Sequence, residues 1–180
     1  IERQQGHVEV LLGALVSGLT NVVAFTVDEL GHDYTGIRGI EGEKVNMHDV
    51  GHGKSFGGVS AEEIRERART HHMELVDRIV TRLKAVPEGE GSMFDRTLLL
   101  YFPDGGETHH SHGTEYPFVV LAGSKCRLNL GRRYLRLPDY GQPGHATLGN
   151  LHTTLLNAHG NAIVHYGALD TVLDRFGLDQ

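Results

Sequence analysis

Apolar residues recur at helical spacing in three stretches of the chain. The first stretch, over about 4–19, places its aliphatic residues on one face and predicts an amphipathic helix. The second stretch, over 60–86, opens on Ser60 and Glu63, a capping box in which each side chain satisfies a free backbone N–H group at the helix start. The third, over about 146–159, predicts the last long helix.

Three short apolar runs lie between these helices: 21–26 follows the first helix, and 97–102 and 117–122 lie between the second and the third. Short runs without polar residues are typical of strands that are covered on both faces. The order predicts an α/β fold, a mostly parallel sheet that holds all three strands and is flanked by helices. We expect a single α/β domain over 1–180 or the C-terminal portion of a larger one, since a chain that starts within a helix pattern suggests a missing first part.

Two stretches lack this regular patterning. The polar, glycine-rich stretch 27–59 predicts a long loop, and a loop of that length is usually either functional or disordered. Residues 127–137, interrupted at Gly131, predict a short hairpin.

Composition narrows the class of protein. The chain has 180 residues, 39% of them apolar, which is a globular composition. Its net charge of −6 argues against a nucleic-acid or anionic-membrane binder, and no apolar run approaches the ~20 residues of a membrane span. The single cysteine, Cys126, excludes an internal disulfide framework, and no signal peptide is visible. The unusual features are 24 glycines and 13 histidines.

Three of the thirteen histidines lie beside two carboxylates in a loop that follows the predicted strand 97–102. In open α/β sheets, sites form at the carboxyl ends of strands, and imidazole with carboxylate suits Zn²⁺, Mn²⁺ or Fe²⁺. Residues two apart in extended backbone face the same side, so His110 and His112 are expected to point inward together. The alternative is an ordinary solvated loop. The residues are Asp104, Glu107, His109, His110 and His112.

A second candidate lies in the predicted long loop. His48 and His52 are four residues apart, and Gly51 and Gly53 favour a loop over a helix there. We expect both loops to converge on one divalent metal ion, most simply zinc. The predicted ligands are His48, His52, Asp104, Glu107, His110 and His112. The adjacent pair His71 and His72 is instead predicted to lie in or beside the core.

Four segments resemble, in order and spacing, the C-terminal half of a known family. It is the family named for its H-x-x-S-H-H motif, exported bacterial proteins of unassigned function. The resemblance runs from about residue 8 to 167. The segments are Leu83–Leu99, His110–His112, Pro117–Gly123 and Leu151–Gly160. The naming motif falls at His48–Gly53, where Gly51 and Gly53 replace its Ser and its last His.

The resemblance implies more than the residues themselves do. The family is related to the alkaline phosphatase and sulfatase-like superfamily, which implies a three-layer alkaline phosphatase-like fold and a location outside the cytoplasm. Asp104 matches a metal-binding Asp of that superfamily, while Gly105 replaces its His. The superfamily's Ser or Thr nucleophile would lie before residue 1, so no catalytic residue is assigned. The implied partner is a missing N-terminal portion, another polypeptide or an oligomer.

Three functional interpretations follow. The chain is the C-terminal portion of a metal-dependent hydrolase-like protein that acts on phosphate or sulfate esters, with the metal polarising the ester oxygen. Alternatively, it is a non-catalytic metal-binding or structural subunit on the same scaffold, because one fold hosts many functions. In the third interpretation, it is a partner-binding module whose histidines are surface residues.

Overall fold

The computed structural model of the protein describes residues 1–27, 32–103 and 116–166. It divides the chain into two compact units, Ile1–Met93 and Phe94–Gln180. The helices of the described ranges include none that is both long and apolar enough to cross a membrane.

The first unit is mainly helical. Its elements, in chain order, are α1 (Glu2–Val16), β1 (Asp33–Tyr34), β2 (Val45–Asn46), α2 (Met47–Gly51), α3 (Ala61–Lys84), β3 (Pro87–Glu88) and β4 (Gly91–Ser92). Half of the predicted capping box is confirmed, because the Ser60 hydroxyl accepts a hydrogen bond of 3.2 Å from the Glu63 backbone N–H. The Glu63 carboxylate accepts a hydrogen bond from Arg67 instead of from the Ser60 backbone. Helix α1 packs on α3, and Arg78 forms an ion pair of 2.6 Å with Glu9 between the two helices.

The stretch 32–59, predicted as part of a long loop, contains β1, β2 and α2 and builds much of the first unit's core. The reason is that its polar sequence is interrupted by aliphatic residues at intervals that no single helix or strand period describes. These residues pack together and against α3. The buried residues of this cluster are Ile37, Ile40, Val45, Val50, Ala61 and Ile64.

The second unit has less regular structure in its described part. A 3₁₀ turn, Met93–Arg96, leads into β5 (Leu98–Tyr101), and β6 (Val119–Ala122) and α4 (Leu148–Ala158) follow. Leu151 and Leu155 of α4 are buried with Leu128, and Leu98 and Leu100 of β5 pack against them. The predicted last helix is therefore confirmed.

The predicted mostly parallel, three-layer alkaline phosphatase-like sheet is wrong. Strands β5 and β6 pair antiparallel, with Leu98 opposite Ala122 and Tyr101 opposite Val119, and every sheet within the described ranges has two antiparallel strands. Apolar patterning locates a strand but does not give its direction. No helix is predicted between these two strands, and a parallel pair needs a crossover that is usually helical, so the antiparallel pairing is the simpler solution.

The predicted buried strand at 21–26 is also wrong. This segment forms no regular element and pairs with no strand in the part of the chain that the structure describes. Leu19 and Val22 beside and within it are 83% and 82% exposed. Its β-branched sequence has high strand propensity, but propensity stabilises a strand only where a neighbouring strand and a covering layer exist.

One glycine fixes the close packing at the start of the second unit. Gly123 follows β6, and its N–H donates a hydrogen bond of 2.9 Å to the Thr97 carbonyl. The Lys125 N–H donates to the Asp95 carbonyl at 2.8 Å. A Cβ atom at position 123 would overlap the backbone carbonyl of Phe94, so only glycine allows the two backbones to approach this closely.

Candidate metal-binding site

The short helix α2 positions the first two predicted ligands. It begins after Asn46, whose side-chain oxygen accepts hydrogen bonds of 3.1 Å and 3.2 Å from the backbone N–H groups of His48 and Asp49. The preference for a loop here was wrong, because the Asn46 cap outweighs the helix-breaking tendency of the glycine Gly51. Asn46 three residues before Asp49 is a helix-start signal that the sequence carries.

The helix brings the two imidazole rings together. His48 lies in the helix and His52 is its C-cap, and residues four apart in a helix lie on the same face. The Nε2 atoms of the two rings are 3.0 Å apart, with ring centroids 4.8 Å apart and ring planes inclined by 47°. At this separation, an Nε2–H group on one ring donates a hydrogen bond to the bare Nε2 of the other, so opposite tautomers are required.

An anionic group lies on the same helix. The Lys54 ammonium donates a hydrogen bond of 2.8 Å to Asp49 Oδ2 and also lies 5.0 Å from the centre of the Phe56 ring. This hydrogen bond lowers the pKa of Asp49 below its ordinary value. Asp49 is therefore ionised at neutral pH and contributes negative charge close to the histidine pair.

The other four predicted ligands, Asp104, Glu107, His110 and His112, lie outside the described residues, as does His109. Their convergence with His48 and His52 on one ion stays a prediction. Within 1–27, 32–103 and 116–166, no group of three or more histidine, cysteine, aspartate or glutamate side chains is arranged to hold a metal ion. The structure thus places two predicted ligands together.

A second polar site lies between α1, α3 and the 34–38 stretch, and the sequence reasoning missed it. It is an open cleft of about 480 Å³ that includes Arg38, Glu66 and Arg67 among its lining residues. Arg67 crosses it, donating hydrogen bonds of 2.6 Å to the Arg38 carbonyl and to Glu63 Oε1. Because Arg67 is paired with Glu63, the cleft has no single dominant sign of charge.

One wall of this cleft holds a histidine in a defined orientation. The buried Gln4 donates through its side-chain nitrogen to the Val27 carbonyl at 3.1 Å, so its oxygen is turned toward His71. His71 Nε2 lies 3.0 Å from that oxygen and donates to it, which leaves Nδ1 facing the Glu74 carboxylate at 3.6 Å. Gln4 in the first helix gives no sequence signal for this pairing.

Burial sets the protonation of His71. Removal from water lowers its pKa below the ordinary value, the neighbouring His72 adds to the decrease, and Glu74 opposes it. His72 itself is 8% exposed, as predicted for a residue on the apolar stripe of α3. His71 is accordingly a neutral imidazole at neutral pH, with a structural role between α1 and α3.

Comparisons with protein-family models, curated proteins and solved structures found no match to this chain. The resemblance to the H-x-x-S-H-H family therefore stays a prediction.

Proposed function

We propose that this protein binds a divalent metal ion through His48 and His52. The observation that carries the proposal is the 3.0 Å separation of their Nε2 atoms. Nitrogen ligands at ~2.0–2.1 Å from zinc lie about 3.3 Å apart in tetrahedral geometry, and about 3.0 Å apart at adjacent positions of an octahedral ion. The pair needs only a small rotation of the rings to bind an ion in place of its shared hydrogen bond.

The surroundings of the pair support binding of a cation. Asp49 is ionised, and its charge favours an approaching positive ion even though Lys54 is its direct partner. The ion's remaining ligands are water or the four residues Asp104, Glu107, His110 and His112, which stay predictions. A metal ion held by two histidines and water is bound more weakly than one held by a complete set of protein ligands.

The test is calorimetric titration of the whole chain with zinc or nickel. We expect binding in the wild type and loss of at least about tenfold in affinity in His48→Ala and His52→Ala, since each removes one of two nitrogen ligands. His159→Ala is the matched control, because His159 caps α4 and bonds its Nδ1 to the Leu155 carbonyl at 2.9 Å. Binding should also weaken at acidic pH, where protonated imidazole cannot ligate.

Two results contradict the proposal. The first is a wild-type chain that binds neither ion at millimolar concentration. The second is unchanged affinity in both alanine variants, which would mean that any metal ion binds elsewhere than at α2. In that case the third interpretation, a partner-binding module with surface histidines, becomes the better one.

The second candidate function is hydrolysis of phosphate or sulfate esters, which the family resemblance supports. The metal supplies Lewis-acid polarisation of the ester oxygen in that chemistry. The test is release of p-nitrophenol from its phosphate and sulfate esters, with and without added metal. Metal binding without ester cleavage favours the alternative, a non-catalytic metal-binding or structural subunit.

The cellular location and the partners of the protein are also proposals. An extracytoplasmic location is what the resemblance implies, and its test is cell fractionation.

Pairing with a further portion of the protein or with another polypeptide is supported by the exposed apolar residues Leu19, Val22 and Val10, which are 83%, 82% and 72% exposed. Size measurement in solution tests for an oligomer.

A further inference from the structure

Positive charge is concentrated in one short part of the second unit. Between residues 116 and 166, the sequence contains a single acidic residue, Asp139, although the whole chain is acidic. The basic residues of the same range all lie within twelve positions, and all are exposed. They are Lys125, Arg127, Arg132, Arg133 and Arg136. We call residues 125–136 the basic segment.

A strained turn presents the middle of this segment. Gly131 and Arg132 have φ angles of +59° and +51°, two successive positive values of the kind found in type I′ turns. The short hairpin predicted at 127–137 is wrong, because no strands pair on either side of this turn among the described residues. In the described part of the chain, Arg132 is the one residue other than glycine with a positive φ. An L-residue pays about 1–2 kcal/mol for this conformation, and such strain is found preferentially at functional positions.

The turn also exposes aromatic surface. Tyr134 is 89% exposed and Tyr140 is 64% exposed, whereas rings of this size are usually at least partly covered. Arg133 donates a hydrogen bond of 3.3 Å to the Asn129 carbonyl across the turn. No ion pair to Arg132 or Arg136 forms among the residues that the structure describes. Within the described ranges, no carboxylate competes with an external anion for these two guanidinium groups.

We infer that the basic segment binds an anionic polysaccharide that carries sulfate or phosphate esters. A guanidinium group matches two oxygens of a sulfate or phosphate group, and the face of Tyr134 offers a flat apolar surface to a sugar ring. From 131 to 136 the chain spans at most about 20 Å, which suits contact with a short stretch of polymer. The choice of polymer rests on the proposed action on phosphate or sulfate esters.

A nucleic acid is the less favourable occupant. Nucleic-acid affinity depends on many phosphate contacts along a basic surface, and here the basic residues are confined to one turn in a chain of net charge −6. A single sulfate or phosphate group on a sugar can be bound by the two or three arginines at the turn.

The experiment measures binding of the whole chain to heparin, as the sulfated probe, and to phosphomannan, as the phosphorylated probe. The variant is the triple substitution Arg132→Gln, Arg133→Gln and Arg136→Gln. The matched control is the triple substitution Arg3→Gln, Lys44→Gln and Arg82→Gln, which changes the net charge equally at exposed residues of the first unit. We expect the first variant to lose at least about tenfold in affinity and the control less than about twofold.

Salt dependence and the aromatic ring give two further readouts. The slope of log affinity against log salt should fall by about 0.7–0.9 for each arginine removed, if the probe resembles a nucleic acid in charge density. Tyr134→Ala should weaken binding without changing that slope. Arg132→Gly keeps the turn conformation, so weaker binding in this variant cannot be attributed to misfolding.

Several outcomes overturn the inference. It fails if neither anionic probe binds more tightly than neutral dextran, or if the control triple variant loses as much affinity as the turn variant. Tighter binding of single-stranded DNA than of both probes would assign the segment to nucleic acid instead. Binding to both probes is measured without a cleavage step, and variants of His48 and His52 should bind heparin normally. Failure of the proposed ester hydrolysis or metal binding is therefore detected separately from failure of this inference.

Discussion

Two glycine-rich stretches of this protein, 34–59 in the first unit and 131–144 in the second, behave in opposite ways. Both lack long regular elements and both contain several glycines with positive φ. The first buries Ile37, Ile40, Val45 and Val50 in a core, whereas nearly all residues of the second are exposed. The difference shows that glycine content does not decide whether a stretch is buried. Burial depends on whether the stretch has aliphatic residues that can reach a common core.

The largest expected difference between the two stretches comes from removing aliphatic side chains. Ile37→Ala should lower the free energy of unfolding by about 2–5 kcal/mol, because Ile37 is 3% exposed and leaves a cavity in the core. Leu135→Ala, at a residue that is 42% exposed, should change it by less than about 0.5 kcal/mol. Urea denaturation, with hydrogen exchange over the unit that carries each substitution, measures both effects. Equal effects would remove the distinction between the stretches.

Glycine substitutions sharpen the comparison at the backbone. Gly57 and Gly141 both have positive φ, at +55° and +84°. A Cβ at Gly57 would lie 2.8 Å from Cγ2 of the buried Ile40, whereas a Cβ at Gly141 meets nothing within 4 Å. Gly57→Ala should cost about 2–3 kcal/mol, from backbone strain plus overpacking, and Gly141→Ala only the strain of about 1 kcal/mol. Thermal unfolding of the two variants tests this order.

Acid should affect the first unit through His71. Burial lowers the pKa of this imidazole in the folded protein, so the unfolded chain takes up the proton first as the pH falls. Its contribution to stability is thus present above the ordinary histidine pKa of about 6.5 and is lost as the pH decreases through the lower folded-state pKa. His71→Gln should reduce the pH dependence of urea unfolding between pH 7 and 5, while the control variant His145→Gln, in a loop of the second unit, retains it. Identical pH profiles for wild type and His71→Gln would contradict this role.

The smallest effect is expected at the strained turn. Arg132→Gly relieves a positive φ that arginine tolerates poorly, so the folded state should gain up to about 1 kcal/mol, partly offset by the greater freedom of glycine in the unfolded chain. Differential scanning calorimetry should show equal or slightly higher stability together with weaker heparin binding. A clear loss of stability would mean that the Arg132 side chain supports the turn itself.

The sequence predicts local features of this fold well and long-range ones poorly. Ser60 and Glu63 identify the start of α3, and the apolar runs locate β5 and β6, because caps and short runs depend on neighbours in the chain. The antiparallel direction of that pair and the exposure of 21–26 depend on which segments meet in space, and hydrophobic patterning does not encode this.

The sequence likewise predicts the local features of the candidate sites and misses the long-range ones. Four-residue spacing predicts that His48 and His52 converge, and their Nε2 atoms do lie 3.0 Å apart. The helix that brings the two rings together depends on the cap at Asn46. The loop was predicted from Gly51 and Gly53, without regard to this cap. The contact between Gln4 and His71 joins residues 67 positions apart, so no local sequence pattern predicts it.

Gly123 has a consequence for how this sequence can vary over evolutionary time. Since a side chain of any size there would overlap the Phe94 carbonyl, position 123 admits one amino acid as long as the Thr97 and Asp95 carbonyls keep their hydrogen-bond donors. Genuine relatives that share this pairing should retain glycine at the equivalent position even where the surrounding strand residues are exchanged for other aliphatic ones. An alignment of such relatives should therefore show an unvarying glycine directly after an apolar strand whose own residues vary.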